Sequence, residues 1–154
     1  MKNFYSKNFI VATILIVLKL FCATANASSL DSLWLTNFEK ALKIAKEKQK
    51  PLLVDFTGSD WCGWCIRLDK EVFSKDEFKS FAKENLVLVE IDFPRKNNQD
   101  SFLKKQNNRL KRKYEIRGFP TIVLLDFNGN LIDKTGYVKG GAESYVSHLK
   151  ELLN

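Results

Sequence analysis

Residues 57–69 read TGSDWCGWCIRLD. Cys62 and Cys65 stand two residues apart, each preceded by a tryptophan, Trp61 and Trp64, where the pattern opens a helix. Such a pair can be a redox couple, half of a metal site or a structural staple. A cysteine at a helix N-terminus faces unpaired backbone N–H groups and the positive end of the helix dipole, and both favour the thiolate. Cys65, one turn along on the same side, is placed to attack a mixed disulfide formed on Cys62. The spacing therefore suits thiol–disulfide exchange, with an exposed nucleophile and a more buried resolving thiol. Arg67 and Lys70 add positive charge nearby, each expected to face water.

The rest of the chain weighs against the other two readings. A bridge across so short a loop removes little entropy from the unfolded chain, so a staple is a poor reason for the pair. Zinc usually takes four ligands and one Cys-x-x-Cys supplies two. The only histidine, His148, stands far along the sequence and reads as an ordinary, partly covered residue. No metal and no cofactor are expected. Handling of Cu(I) by the soft thiolates stays open as an alternative of another class, a Cu(I)- or Zn-binding chaperone.

The 154 residues are enough for one domain after any targeting segment. Residues 1–27 have the pattern of such a segment: Lys2 and Lys7, then the apolar run FIVATILIVL at 9–18, then Ala25-Asn26-Ala27 with small residues at the −3 and −1 positions of a cleavage site. The run is ten residues, short of the roughly 20 that span a bilayer. An uncleaved anchor is the alternative. Lipid modification of Cys22 fits poorly, because bulky and charged residues (Lys19, Leu20, Phe21) precede it. Cleavage removes Cys22 and leaves Cys62 and Cys65 as the only cysteines, so the mature chain is no disulfide framework. It also leaves 22 basic against 18 acidic residues, a net charge of +4. That mild excess does not indicate nucleic acid.

Apolar spacing from Leu30 to Ala45 predicts an amphipathic helix over 31–49, ended by Lys50-Pro51. Strands are expected at 52–56, 86–92 and 121–127, with a hairpin partner at 130–138 after Asn128-Gly129. Helices are expected from Cys62 to about 72, from a Ser74 cap with Glu77 in a capping box to 83, over about 100–114, and over 142–153. In the third of these, Phe102, Leu103, Leu110 and Tyr114 are the expected inward contacts, and the basic run 95–113 is read as a solvated face. Strands joined through a helix imply a parallel pair, and the closing hairpin adds antiparallel strands.

Taken in order, Val54-Asp55-Phe56, Trp61-Cys62-Gly63-Trp64-Cys65, the stretch from Lys113 to Thr121 containing Gly118-Phe119-Pro120, Asn128-Gly129 and Gly136 resemble the thioredoxin superfamily. With the export segment, the sequence looks most like the periplasmic disulfide reductases of the DsbH type. The resemblance implies an α/β, thioredoxin-like three-layer sandwich over residues 28–154, with a mixed central sheet flanked by helices. It implies Cys62 as nucleophile and Cys65 as resolving cysteine, forming a redox disulfide. Pro120 matches a cis-proline lying against the pair, with Trp61, Trp64, Phe119 and Thr121 lining the substrate groove. Asp55 matches a buried carboxylate that relays a proton to Cys65.

The sequence departs from thioredoxin itself in three ways. One extra residue between Asp55 and Cys62 requires a bulge over 57–60 and makes Asp60 a rival carboxylate. Leu88 stands where a lysine usually partners Asp55. Trp64 replaces the proline or histidine common between the cysteines; it offers no charge to the thiolate, and its ring can cover the sulfurs. The expected function is a periplasmic, monomeric reductant of disulfides in exported proteins, recharged by a membrane electron donor of the thiol-transporter type. Isomerase, oxidant and cytochrome-maturation reductase are the alternatives within the class.

Overall fold

The computed structural model describes residues 33–154. The expected export segment lies outside the described residues. Five strands form one mixed sheet in the order β1-β3-β2-β4-β5, so the strand that leads into the cysteines is central. β1 (Trp34–Leu35), β2 (Leu52–Thr57) and β3 (Val87–Asp92) run parallel, with Asp55 opposite Glu90. β4 (Thr121–Leu125) is antiparallel to β2, and β5 (Leu131–Thr135) to β4. This is the expected thioredoxin-like α/β sandwich.

Residue alternation along β2 divides the core into two layers. Leu52, Val54 and Phe56 face α1 (Phe38–Lys48) and α4 (Ser101–Lys113), joining Ala41, Ala45, Leu110 and Tyr114 in one buried cluster. Leu53 points the other way and joins Leu124, Phe73, Phe78 and Tyr145 against α2 (Gly63–Leu68), α3 (Asp76–Asn85) and α5 (Gly141–Leu153). Each large side chain so covered contributes about 1.5–3 kcal/mol of transfer free energy. Cover on both faces accounts for the burial of every residue of β2, Asp55 and Thr57 included.

The helix expected over 31–49 starts at Phe38, because Trp34-Leu35 is drawn into the sheet edge beside β3. Asn37 caps it, its side chain accepting from Lys40 N–H. Ser74 is not the cap expected of it. The chain leaves α2 through a π-helical turn, Asp69–Phe73, and Ser74 closes that turn, its hydroxyl donating to the Lys70 carbonyl. α3 begins after Lys75, which makes no side-chain cap bond.

Phe102 does not point inward, being 55% exposed. The buried face of α4 carries Gln106 and Asn107 with Leu110 and, just beyond, Tyr114. Gln106 accepts from Phe38 N–H and donates to the Thr36 carbonyl, while Asn107 donates to the Asp92 carbonyl. These bonds tie the entry of α1 and the end of β3 to one helix, which accounts for amides at apolar-looking positions. Asp126 organises the β4–β5 turn by accepting from Asn128 and Asn130 N–H, with Gly129 at φ +88°.

Candidate functional site: a disulfide beside a carboxylate-lined cavity

β2 delivers the chain to the loop 58–61, which holds the cysteines by backbone bonds: Trp61 and Cys62 N–H both donate to the Gly58 carbonyl. Two acids anchor this loop to the segment after β3. Asp92 accepts from Ser59 N–H and Oγ, and Asp60 accepts from the N–H groups of Arg95, Lys96 and Asn97. The Arg95 N–H bond is the main reason the Asp60 carboxyl is held below its ordinary range. Asp60 is thereby committed to the loop, and the extra residue ahead of Cys62 is absorbed in it.

Cys62 is the N-cap of α2, and Cys62 Sγ accepts from Cys65 N–H at 3.2 Å. The two sulfurs are joined in a disulfide of 2.11 Å. The expected contrast between an exposed and a buried cysteine is not found in this oxidised form: Cys62 is 6% and Cys65 5% exposed.

Beside Cys65 a cavity of about 300 Å³ is lined by Asp55, Glu90, Asp69 and Trp34 among others. Asp55 is buried and its Oδ1 has no hydrogen-bond partner. Its carboxyl is pushed well above the usual carboxylate range, first by burial and then by the negative charges of Glu90, Asp92 and Asp69. Glu90 is raised as well, by burial first and then by Asp92 and Asp69. Leu88 pairs with Leu53 in the apolar layer, so the residue facing Asp55 across the sheet is an acid. Glu90 was not singled out from sequence. The alternation of LVLVEID, which sets 88, 90 and 92 on one face, was the available signal.

The expected groove residues fall on two sides. Trp61 is pinned by its indole N–H, which donates to the Phe93 carbonyl at 2.8 Å, and meets Phe119 edge-on with centroids 5.9 Å apart. The Phe119–Pro120 peptide bond is cis, and Thr121 Oγ1 donates to the Gly118 carbonyl. Trp64 is 56% exposed, its ring 5.3 Å from that of Tyr137. Arg67 does not simply face water. Its guanidinium sits 5.4 Å from the Trp64 ring and 5.3 Å from Tyr137, and it donates to Glu71, which also accepts from Tyr137 Oη. Tyr137 and Glu71 gave no local signal, since only the fold brings them to Trp64. His148 Nε2 meets Thr135 Oγ1 at 2.8 Å. Among the described residues no group of three or more His, Cys, Asp or Glu stands together as a metal site would need.

A Cys-x-x-Cys disulfide capping a helix, reached from the central strand of this sheet, defines the protein as a thiol–disulfide oxidoreductase. Residues 38–152 match the family described as thioredoxin-like domain, and the chain belongs to that family. It is 40% identical over 117 residues to the disulfide bond reductase DsbH of Chlamydia pneumoniae, covering 76% of this chain and 70% of that protein. A solved structure of a DsbH oxidoreductase superposes with a TM-score of 0.74 at 40% identity, over 78% of this chain and 83% of that one. The thiol:disulfide interchange protein DsbD of Vibrio vulnificus (strain CMCP6) is 28% identical over 119 residues, 75% of this chain but 18% of its own length.

Proposed function

We propose that the protein reduces disulfide bonds in exported proteins. Residues 1–27 act in this reading as a cleaved export signal, and residues 28–154 work as a single monomeric domain in the periplasm. Among the described residues no helix is long and apolar enough to cross a membrane. The observation that carries the reading is the Cys62–Cys65 disulfide at the start of α2, beside a buried carboxyl with a free oxygen.

In the reduced protein Cys62 attacks as thiolate, forming a bond to one substrate sulfur while the substrate disulfide breaks and its other sulfur leaves. Cys65 then passes its proton to the ionised form of Asp55, attacks Cys62 Sγ and releases the second substrate thiolate. The protein is left oxidised, as in the present structure, and the substrate has gained two electrons. Trp61, Trp64, Phe119, Pro120 and Thr121 border the path by which a substrate segment reaches Cys62. Recharging requires a dithiol donor, and outside the cytoplasm a membrane thiol transporter is the class that supplies it. Similarity to a protein named for disulfide reduction supports this direction. So does tryptophan, in place of a charged residue, between the cysteines.

The test is the reduction potential of the pair in the mature protein, equilibrated with glutathione. A value near that of thioredoxin, about −270 mV, is expected, whereas one near about −120 mV would make the protein an oxidant. Cys65→Ala should accumulate mixed disulfides through Cys62 with envelope proteins. A variant that traps none counts against the mechanism. Tight stoichiometric Cu(I) binding without turnover would favour the chaperone alternative.

A further inference from the structure

Next to the disulfide, three aromatic rings from three separate segments meet: Trp61 before α2, Phe93 after β3 and Phe119 before β4. Phe119 lies 5.9 Å from Trp61 and 5.2 Å from Phe93, centroid to centroid. Two cations rest on this ridge. The Arg95 guanidinium is 3.7 Å from the Trp61 centroid, and Lys111 Nζ is 5.3 Å from Phe119 and 5.5 Å from Phe93. Trp61 adjoins Cys62 in the chain and meets the Phe119 ring, so the ridge reaches the disulfide through Trp61.

Neither cation is in an ion pair. The ion pairs among the described residues join Lys43 to Glu47, Arg67 to Glu71 and Arg109 to Glu39, and none includes Arg95 or Lys111. Asp60, bonded to the N–H groups of 95–97, and Asp92, bonded to Ser59, form no ion pair with either cation. A guanidinium lying flat on an indole keeps its edge N–H groups free for a carboxylate. On the Trp64 side, by contrast, Arg67 is balanced by Glu71. The charge beside the disulfide is therefore lopsided, with unpaired positive groups on the Trp61–Phe119 side.

We infer that this ridge selects substrates in which the reacting cysteine is flanked by carboxylate side chains, with Arg95 and Lys111 as the specificity-determining residues. The inference rests on the proposed disulfide exchange and names its substrate class. As a segment docks, one of its sulfurs bonds to Cys62 Sγ while its own disulfide breaks. The Cys62–Cys65 dithiol supplies the two electrons, and a flanking Asp or Glu meets the cations at the ridge. Attraction of this kind acts mainly on the encounter and fades with salt.

The test uses the mature protein, reduced, and three disulfide-linked peptides that differ only in having Glu, Gln or Lys beside the cysteine. Second-order rate constants are read by stopped-flow tryptophan fluorescence, each divided by the rate of dithiothreitol on the same peptide. The Glu peptide should outpace the Lys peptide by about tenfold at low ionic strength, shrinking to about twofold at 0.5 M salt. Lys111→Gln, which leaves Arg95 packed on Trp61, should lower the Glu-to-Gln ratio. The double change with Arg95→Gln should bring it to about one, while Lys79→Gln on α3 should leave it as in the wild type. Equal rates for the three peptides, or a ratio unchanged in the double variant, would overturn the preference alone. A protein that reduces none of them overturns the reductase reading and this inference with it.

Discussion

Replacing Asp55 by Asn tests the electrostatics of the cavity with little change in shape. The carboxyl is buried, one oxygen lacks a partner, and burial followed by Glu90, Asp92 and Asp69 raises its pKa. In the unfolded chain an aspartate ionises near about pH 3.9. Between that pH and its folded pKa the native state holds a proton that the unfolded state has released. Unfolding stability then falls as pH rises, by about 1.4 kcal/mol per pH unit for one proton. Asn carries no such proton, so the stability of Asp55→Asn minus that of the wild type should grow at that slope from about pH 4 upward. It should level off where the folded carboxyl ionises, and the break reads that pKa. Glu90 is raised by burial, Asp92 and Asp69, which the substitution leaves in place, so its own contribution cancels in the difference. Any unpaired amide atom in the variant adds an offset that does not depend on pH. The assay is urea unfolding of both proteins with the disulfide intact, at half-unit steps from pH 4.5 to 7.5. A difference that stays constant over the whole range would refute the reasoning, because Asp55 would then ionise as readily folded as unfolded.

Three further outcomes follow from the packing. A Cβ at Gly58 would stand 2.5 Å from the Trp61 indole, so Gly58→Ala should displace the ring from the Phe93 carbonyl. It should lower the melting temperature, with loss of a bond worth about 0.5–1.5 kcal/mol, and shift tryptophan emission; an unchanged spectrum argues against the packing. Gln106→Leu leaves Phe38 N–H and the Thr36 carbonyl without their partner, so urea unfolding should show a loss of about 1–3 kcal/mol, and a neutral result would mean other groups satisfy them. In Tyr137→Phe the Glu71 carboxyl, held low chiefly by the tyrosine hydroxyl and then by Arg67, should titrate higher by NMR. No movement would show that the hydroxyl does not hold it.

Local signals in the chain carried most of the architecture. Short apolar runs and the Asn128-Gly129 turn located β2, β3 and the β4–β5 hairpin within a residue or a few at their ends, and helical spacing with cap and breaker residues located the helices. The Cys-x-x-Cys pair was legible from thiol chemistry, and the flanking tryptophans and the Gly118-Phe119-Pro120 stretch joined it through their resemblance, in order, to the thioredoxin superfamily. What failed locally failed for tertiary reasons. Trp34-Leu35 continues a helical pattern but is taken by an open edge of β3. Ser74 has the residues of a cap around it, yet the chain is still turning out of the π-helical segment when it arrives there. Gln106 and Asn107 look like surface amides until the backbone groups they satisfy are brought to them.

The sequence by itself determined the class of fold and the cysteine pair, since both are written in short spacings that a strand or one helical turn converts directly into geometry. Only the tertiary structure decided what surrounds those sulfurs. Sheet register set Glu90 opposite Asp55 where Leu88 had been the expected neighbour. Loop anchoring spent Asp60 on backbone N–H groups. Packing of segments up to 73 residues apart stacked Arg95 and Lys111 on one aromatic ridge and brought Tyr137 to Trp64. These contacts depend on register and long-range packing, which no periodicity along the chain encodes.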